Sequence, residues 1–229
     1  MRTRMTETEH EVILEPADGP ADATVLWLHG LGADGYDFVP MVPELRLPEA
    51  ARIRFVFPHA AVRPVTINNG YPMRAWYDIR ELTPAGRDDE AGFAEARQRV
   101  ESWIARENVA GISAARVVLA GFSQGGAVAL HAGLRHGARL AGIIALSTYL
   151  PLRARLAAEV AVANRETPVL MCHGSEDAVV LPEFGEASRN VLLEQKIPVE
   201  WHMYAMGHNL CAPEVRDVAV WLKTHLPLI

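Results

Sequence analysis

The chain has 229 residues, half of them hydrophobic and 22% charged, enough to bury one sizeable core in an ordinary globular domain. A net charge of −6 supplies no basic surface and argues against nucleic acid as a partner. Cys172 and Cys211 lack metal-ligand spacing, no apolar run reaches membrane-span length, and Met1 to Glu7 has no signal-peptide core. A reduced, cytoplasmic setting without stable membrane insertion is therefore expected.

Residues 1–10 read as a flexible tail of a single domain spanning 1–229. Val12-Ile13-Leu14 and Ala23 to Leu28 read as strands, joined through Asp18-Gly19 in an antiparallel hairpin at a sheet edge. A glycine-rich loop, His29 to Gly35, follows, then a helix candidate from Tyr36 to Leu45 and a strand over Ile53 to Phe57. Residues 58–90 keep neither helical nor strand period for long, and a stretch of that kind inside a domain is usually functional. Its aromatics Tyr71, Trp76 and Tyr77 either line a pocket or pack the loop onto the body.

Phe93, Ala96, Val100 and Ile104 fall on one face of a helix over Asp89 to Arg106. Val117-Val118-Leu119 is a strand with no polar face, as a parallel sheet covered on both sides requires. It runs into Gly121-Phe122-Ser123-Gln124-Gly125 and a helix from Ala127 to His136, with Gly137 as its expected C-cap. Further strands are expected at Ala141 to Leu146, Val169 to Cys172 and Val199 to Ala205. Helices are expected over Pro151 to Ala163, Pro182 to Gln195 and from Pro213 to the closing Pro227. This alternation predicts an α/β fold, mainly parallel, with helices on both faces of the sheet.

A bare Gly-x-Ser-x-Gly arises by chance in about one chain in fifteen of this length. Between a strand and a helix it has the context of a nucleophile elbow, where a strained serine stands before free helix N–H groups. Ligands of an open α/β sheet bind beyond the carboxyl ends of its strands. That rule selects Ser123, Asp177 and His208, each following a different strand, in the chain order of the α/β-hydrolases. Ser123 would be the nucleophile, His208 its base and Asp177 the group orienting the imidazole. The backbone N–H groups of Gln124 and of Leu31 would receive the oxyanion.

Each of these assignments has a competitor. Glu176 adjoins Asp177 but, as its neighbour on a turn, points elsewhere. His202 belongs to a strand, while His131 and His225 lie within helices away from the rim. His29 and His173 close strands and suit structural duties. The scattered histidines and carboxylates indicate no metal site, and the glycine-rich loop lacks the Gly-Lys-Ser/Thr ending that holds phosphate, so no cofactor is expected.

Leu28 to Asp34, Arg63 to Asn68, Trp76-Tyr77-Asp78-Ile79, Ala120 to Gly126, Ala145 to Pro151 and Met206-Gly207-His208 together resemble the phospholipase/carboxylesterase family of α/β-hydrolases. That family includes acyl-protein thioesterases and small bacterial carboxylesterases, and Ser147-Thr148-Tyr149 is closer to the bacterial branch. The resemblance implies the α/β-hydrolase fold without a large cap domain, the same triad of Ser123, Asp177 and His208, and oxyanion donors at Leu31 and Gln124. It further implies that residues 58–90 cover the rim and place Trp76 in the acyl pocket. Ala61 and Asn69 depart from the proline and glycine common at those positions.

The expected activity is that of a serine carboxylesterase acting on esters of small to medium acyl chains through an acyl-enzyme. A thioesterase or lysophospholipase would use the same residues, and a non-catalytic binding protein is the alternative of another class. The expected partner is a small-molecule ester, and a homodimer is compatible with the sequence.

Overall fold

The computed structural model describes residues 1–81 and 88–227. In chain order its strands and helices are β1 (Thr3–Glu7), β2 (Glu11–Pro16), β3 (Ala23–Leu28), α1 (Met41–Glu44), β4 (Ile53–Pro58), β5 (Val62–Val65), β6 (Tyr71–Arg74) and α2 (Glu90–Val109). Then come β7 (Val117–Phe122), α3 (Gln124–Arg135), β8 (Gly142–Leu146), α4 (Leu156–Glu159), β9 (Val169–Gly174), α5 (Pro182–Glu194), β10 (Val199–Tyr204) and α6 (Ala212–His225). Eight strands form one sheet in the order β1-β2-β4-β3-β7-β8-β9-β10, while β5 and β6 pair separately. From β4 to β10 the neighbours are parallel, and β1 and β2 add antiparallel pairings at one edge. This is the α/β-hydrolase architecture, with no large cap domain among the described residues.

Alternation along the strands divides the core in two. Leu26, Leu119, Ile143 and Met171 pack with Phe93, Val100 and Ile104 of α2 and with Val128 and Leu130 of α3. Their strand neighbours Val25, Val118, Ile144 and Leu170 face the other way, against Met41 and Val42 of α1 and Val218 and Leu222 of α6. Both faces of the central strands are therefore dry, which accounts for their uninterrupted apolar runs. The parallel register brings Leu28, Gly121 and Ala145 abreast, so the loops after β3, β7 and β8 leave from one rim.

Several local expectations are corrected. The expected tail contains β1, an edge strand whose five residues are all exposed and carry no apolar period to reveal it. It pairs with Val12 to Pro16 of β2 through the backbone, and its arginine and glutamate suit an edge facing solvent. β2 and β3 are not hairpin partners, because β4 lies between them, antiparallel to one and parallel to the other. The helix expected over 36–45 shrinks to the single turn of α1, since Pro40 and Pro43 have no N–H to donate back to the carbonyls four residues earlier.

The helix expected over 151–163 is also broken. Val160 is extended, and the N–H of Ala161 bonds to the carbonyl of Leu134 instead of continuing a helix. Gly137 is not the C-cap: α3 ends at Arg135 with His136 extended, and Asn164 Nδ2 donates to the His136 carbonyl at 2.7 Å. Within 58–90 the described residues include the β5–β6 hairpin, closed through Asn69 at φ 55°. Asparagine tolerates this left-handed conformation, which explains how it stands where glycine is common.

One buried carboxyl makes stability depend on pH. Glu214, in the first turn of α6, is wholly buried, and its oxygens make no hydrogen bond among the described residues. Burial pushes its pKa from the ordinary 4.5 up to about 8. The folded chain keeps this proton at pH values where the unfolded chain has released it, so stability is lost as pH rises through that window. Glu214→Gln mimics the protonated form. Its melting temperature should match that of the parent near pH 4.5 and exceed it increasingly towards pH 8, as differential scanning fluorimetry across that range would show.

Candidate active site

The site is built at the corner between β7 and α3. Ser123 has φ 53° and ψ −121°, a strained combination for a residue with a side chain. A Cβ on Gly121 would stand 2.3 Å from the Gly125 backbone, and one on Gly125 would stand 2.2 Å from the Leu28 carbonyl oxygen. These two glycines are thus dictated by backbone crossing backbone. The serine is pinned by its own N–H, which donates to the Leu146 carbonyl at 2.8 Å, and by Thr148 Oγ1, which donates to the Ser123 carbonyl at 2.7 Å.

His208 comes from the loop after β10 and lies against the Phe122 ring, with centroids 4.7 Å apart. Its Nε2 is 2.9 Å from Ser123 Oγ, and its Nδ1 is 2.7 Å from Asp177 Oδ2. The Nδ1 proton is directed to the carboxylate, leaving Nε2 as acceptor for the serine hydroxyl. Asp177 is buried, and its Oδ1 accepts the backbone N–H groups of Val179 and Val180, each at 2.9 Å. Oδ2 is thereby left to the histidine. Glu176, by contrast, is exposed.

Neutral imidazoles surround this series. His173 Nε2 donates to the Val180 carbonyl at 2.8 Å, and burial lowers its pKa. Burial likewise takes His29 to about 4. Its Nε2 accepts the Ala60 N–H at 3.0 Å while Nδ1 donates to the Gly30 carbonyl at 2.7 Å, which fixes the loop carrying Leu31. In that loop the N–H groups of Gly32 and Ala33 bond to the carbonyls of Arg74 and Gly30. The Leu31 N–H has no partner among the described residues, and that of Gln124 belongs to the open first turn of α3.

The side chain of Gln124 does something its sequence context did not reveal. Its Oε1 accepts the Trp76 N–H and its Nε2 donates to the Tyr77 carbonyl, both at 2.8 Å. The amide therefore clips the segment after β6 onto the elbow helix. The only sequence signal is a polar amide opening a buried helix, where it has to find internal partners.

Trp76 is a correction to the expected acyl pocket. It is 1% exposed, its Nε1 donates to the His29 carbonyl at 2.8 Å, and it lies behind the cleft wall rather than in it. The cleft itself holds about 380 Å³ and runs over Ser123 and His208 between Leu31, Ile67, Tyr77, Ile79, Tyr149 and Val180. Of the three aromatics, Tyr71 is exposed and Tyr77 takes the lining position. Among the described residues no group of three or more His, Cys, Asp or Glu is placed to hold a metal ion, and no helix is long and apolar enough to cross a membrane.

Fold and site define a chain of the α/β-hydrolase class. Residues 8–226 match the model of the phospholipase/carboxylesterase family, and the chain belongs to that family of hydrolases. It is 36% identical over 216 residues to acyl-protein thioesterase 1 of Yarrowia lipolytica, covering 92% of this chain and 95% of the relative. Among solved structures, SOBER1 of Arabidopsis thaliana superposes with a TM-score of 0.85 at 32% identity, covering 89% of this chain and 99% of that one. Acyl-protein thioesterase 2 of Zea mays superposes with the same score at 29% identity, covering 94% and 98%.

The bond from Thr148 to the strained serine makes a test of the elbow. Thr148→Val keeps the shape and removes the donor, which should cost about 1 kcal/mol of stability. It should also lower kcat on an acyl ester about ten-fold with little change in KM, since the ground-state cleft is untouched. Thr148→Ser should retain most of both; a loss in Thr148→Ser with Thr148→Val unaffected would show that the methyl group, not the hydroxyl, holds the corner.

Proposed function

We propose that the chain is a serine hydrolase that cleaves acyl thioesters, including acylated cysteine in peptides, and hydrolyses oxygen esters with the same residues. The hydrogen-bonded series Ser123–His208–Asp177, at 2.9 and 2.7 Å, carries this reading. In the first half-reaction Ser123 Oγ attacks the acyl carbonyl carbon as its proton passes to His208 Nε2. The tetrahedral oxyanion takes hydrogen bonds from the backbone N–H groups of Leu31 and Gln124, donors of the kind worth about 2.7–4 kcal/mol each in the barrier. The carbon–sulfur or carbon–oxygen bond then breaks, and the leaving group departs with the proton from His208. In the second half-reaction water attacks the acyl-serine with the same proton relay and releases the carboxylic acid. Asp177 holds the imidazole tautomer and balances the transient imidazolium.

The names of the relatives move the weight from oxygen esters, the first expectation, to thioesters. The triad by itself is indifferent to this choice. A thiol of pKa about 8.5 leaves readily as thiolate, whereas an alkoxide depends on prompt proton delivery from His208.

Matched thioesters and oxygen esters of the same acyl groups test the assignment. The S-acyl peptide should show the higher kcat/KM, and a ten-fold preference for the oxygen ester would return the reading to carboxylesterase. Ser123→Ala should lower turnover of both by about six orders of magnitude and abolish fluorophosphonate labelling. Asp177→Asn, which disturbs the tautomer, should lower kcat by about four orders. Undiminished turnover in Ser123→Ala would remove the nucleophile from the mechanism.

A further inference from the structure

Besides Ser123, Gln124 and His208, the polar side chains lining the cleft are Asp37, Asn68 and two tyrosines. Tyr77 and Tyr149 both line it, and their hydroxyl oxygens are 2.9 Å apart. Tyr77 is held from behind: its ring stacks on Phe93 with centroids 4.0 Å apart, and its carbonyl accepts Gln124 Nε2. Tyr149 directly follows Thr148, whose hydroxyl is bonded to the nucleophile's own carbonyl. Neither ring is free to swing aside without disturbing the elbow or the segment clipped to it. Ile67, Ile79, Val179 and Val180 make the neighbouring cleft surface apolar.

Two phenols that bond to each other use one of their two protons. Among the described residues each hydroxyl is bonded only to the other, and Asp88 acts on both through its charge alone, so the second O–H has no hydrogen-bond acceptor among the described residues and can serve an oxygen that enters the cleft. Burial keeps both protonated, taking the Tyr149 hydroxyl up to about 12 and that of Tyr77 well above its ordinary value. The pair is thus a fixed donor beside the apolar side chains of Ile67, Ile79, Val179 and Val180, the arrangement by which a pocket orients a ligand.

We infer that the Tyr77–Tyr149 hydroxyl pair is the specificity element of the cleft and selects acyl groups that present an oxygen to it over saturated chains that would cover it. This rests on the acyl-transfer reading above. A hydroxylated acyl chain can accept the waiting O–H. A saturated chain laid over the pair covers the O–H and offers it no acceptor, and sites built to bond a substrate hydroxyl discriminate steeply against analogues that lack it.

The experiment compares the parent with Tyr77→Phe, Tyr149→Phe and the double variant. The substrates are butanoyl, octanoyl and dodecanoyl thioesters of one thiol, with a series of singly hydroxylated octanoyl thioesters. In the parent at least one hydroxylated isomer should exceed octanoyl in kcat/KM. In the double variant that preference should vanish, and the dodecanoyl-to-butanoyl ratio of kcat/KM should rise at least ten-fold. A ratio unchanged within two-fold in a double variant with parental circular dichroism would overturn the inference.

Thermal melting adds a readout independent of activity. Tyr149→Phe strands the buried Tyr77 hydroxyl and should melt below the double variant, in which both are gone. Additive losses would show that the hydroxyls do not act as a pair. Failure of the acyl-transfer reading is separately visible, as a parent chain that hydrolyses none of these thioesters and takes no fluorophosphonate on Ser123.

Discussion

The structure depends on a crossing of backbones. At the elbow, β7 turns into α3 so tightly that the carbonyl of Leu28, at the end of β3, lies where a side chain of Gly125 would begin. Gly121 meets the Gly125 backbone just as closely, from within the same turn. A positive φ at a residue with a side chain is worth about 1–3 kcal/mol of strain, and it persists only where the surroundings over-determine it. Here they do. The Ser123 N–H is taken by β8, its carbonyl by Thr148 and the first helical turn, and its Oγ stands beside His208. Because the crossing couples β3, β7 and β8 at one rim, the loop carrying Leu31 and the loop carrying Ser123 cannot shift independently.

A second layer of constraint is polar and buried. His29 and Gln124 tie three segments together: the loop after β3, the residues following β4, and Trp76-Tyr77 after β6. Inside a low-dielectric core such a network stabilises only if every member is satisfied. His29 has acceptor and donor partners on its two nitrogens and stays neutral through burial. The segment after β6 therefore forms part of the wall of the cleft rather than a loose cover. Trp76 anchors that wall through the His29 carbonyl, and its neighbour Tyr77, equally buried, contributes to the cleft lining.

These relations were unequally legible in the sequence. The elbow was readable because sterics leave glycine alone at Gly121 and Gly125, and the order Ser123, Asp177, His208 follows once strand ends are located. The central strands were readable because both their faces are dry. β1 was not, since five exposed residues held by backbone pairing leave no apolar pattern. The pairing of β2 with β4 instead of β3 was equally hidden, because register between distant strands is not written in either strand. Trp76 was misplaced for a related reason: a tryptophan beside a tyrosine tells nothing about which of two buried rings borders the cleft. The indole settled inward because its N–H found a carbonyl at 2.8 Å, a long-range bond that local sequence cannot announce.

The same distinction separates chemistry from selectivity. Ser123, His208 and Asp177 are held by backbone geometry and by buried hydrogen bonds, so their arrangement is insensitive to what occupies the cleft. Keeping His173 and His29 neutral matters here. A buried cation beside Asp177 would compete with His208 for the carboxylate, and His173 Nε2 lies only 3.5 Å from Asp177 Oδ2. Its proton is instead committed to the Val180 carbonyl, and burial disfavours a second one. In the proposed acyl transfer, the charge that would develop on His208 is then the one positive charge Asp177 would have to balance among these imidazoles. On the proposed reading, discrimination between acyl groups would come from side chains with no part in that balance, such as Tyr77 in the segment after β6 and Tyr149 in the loop after β8.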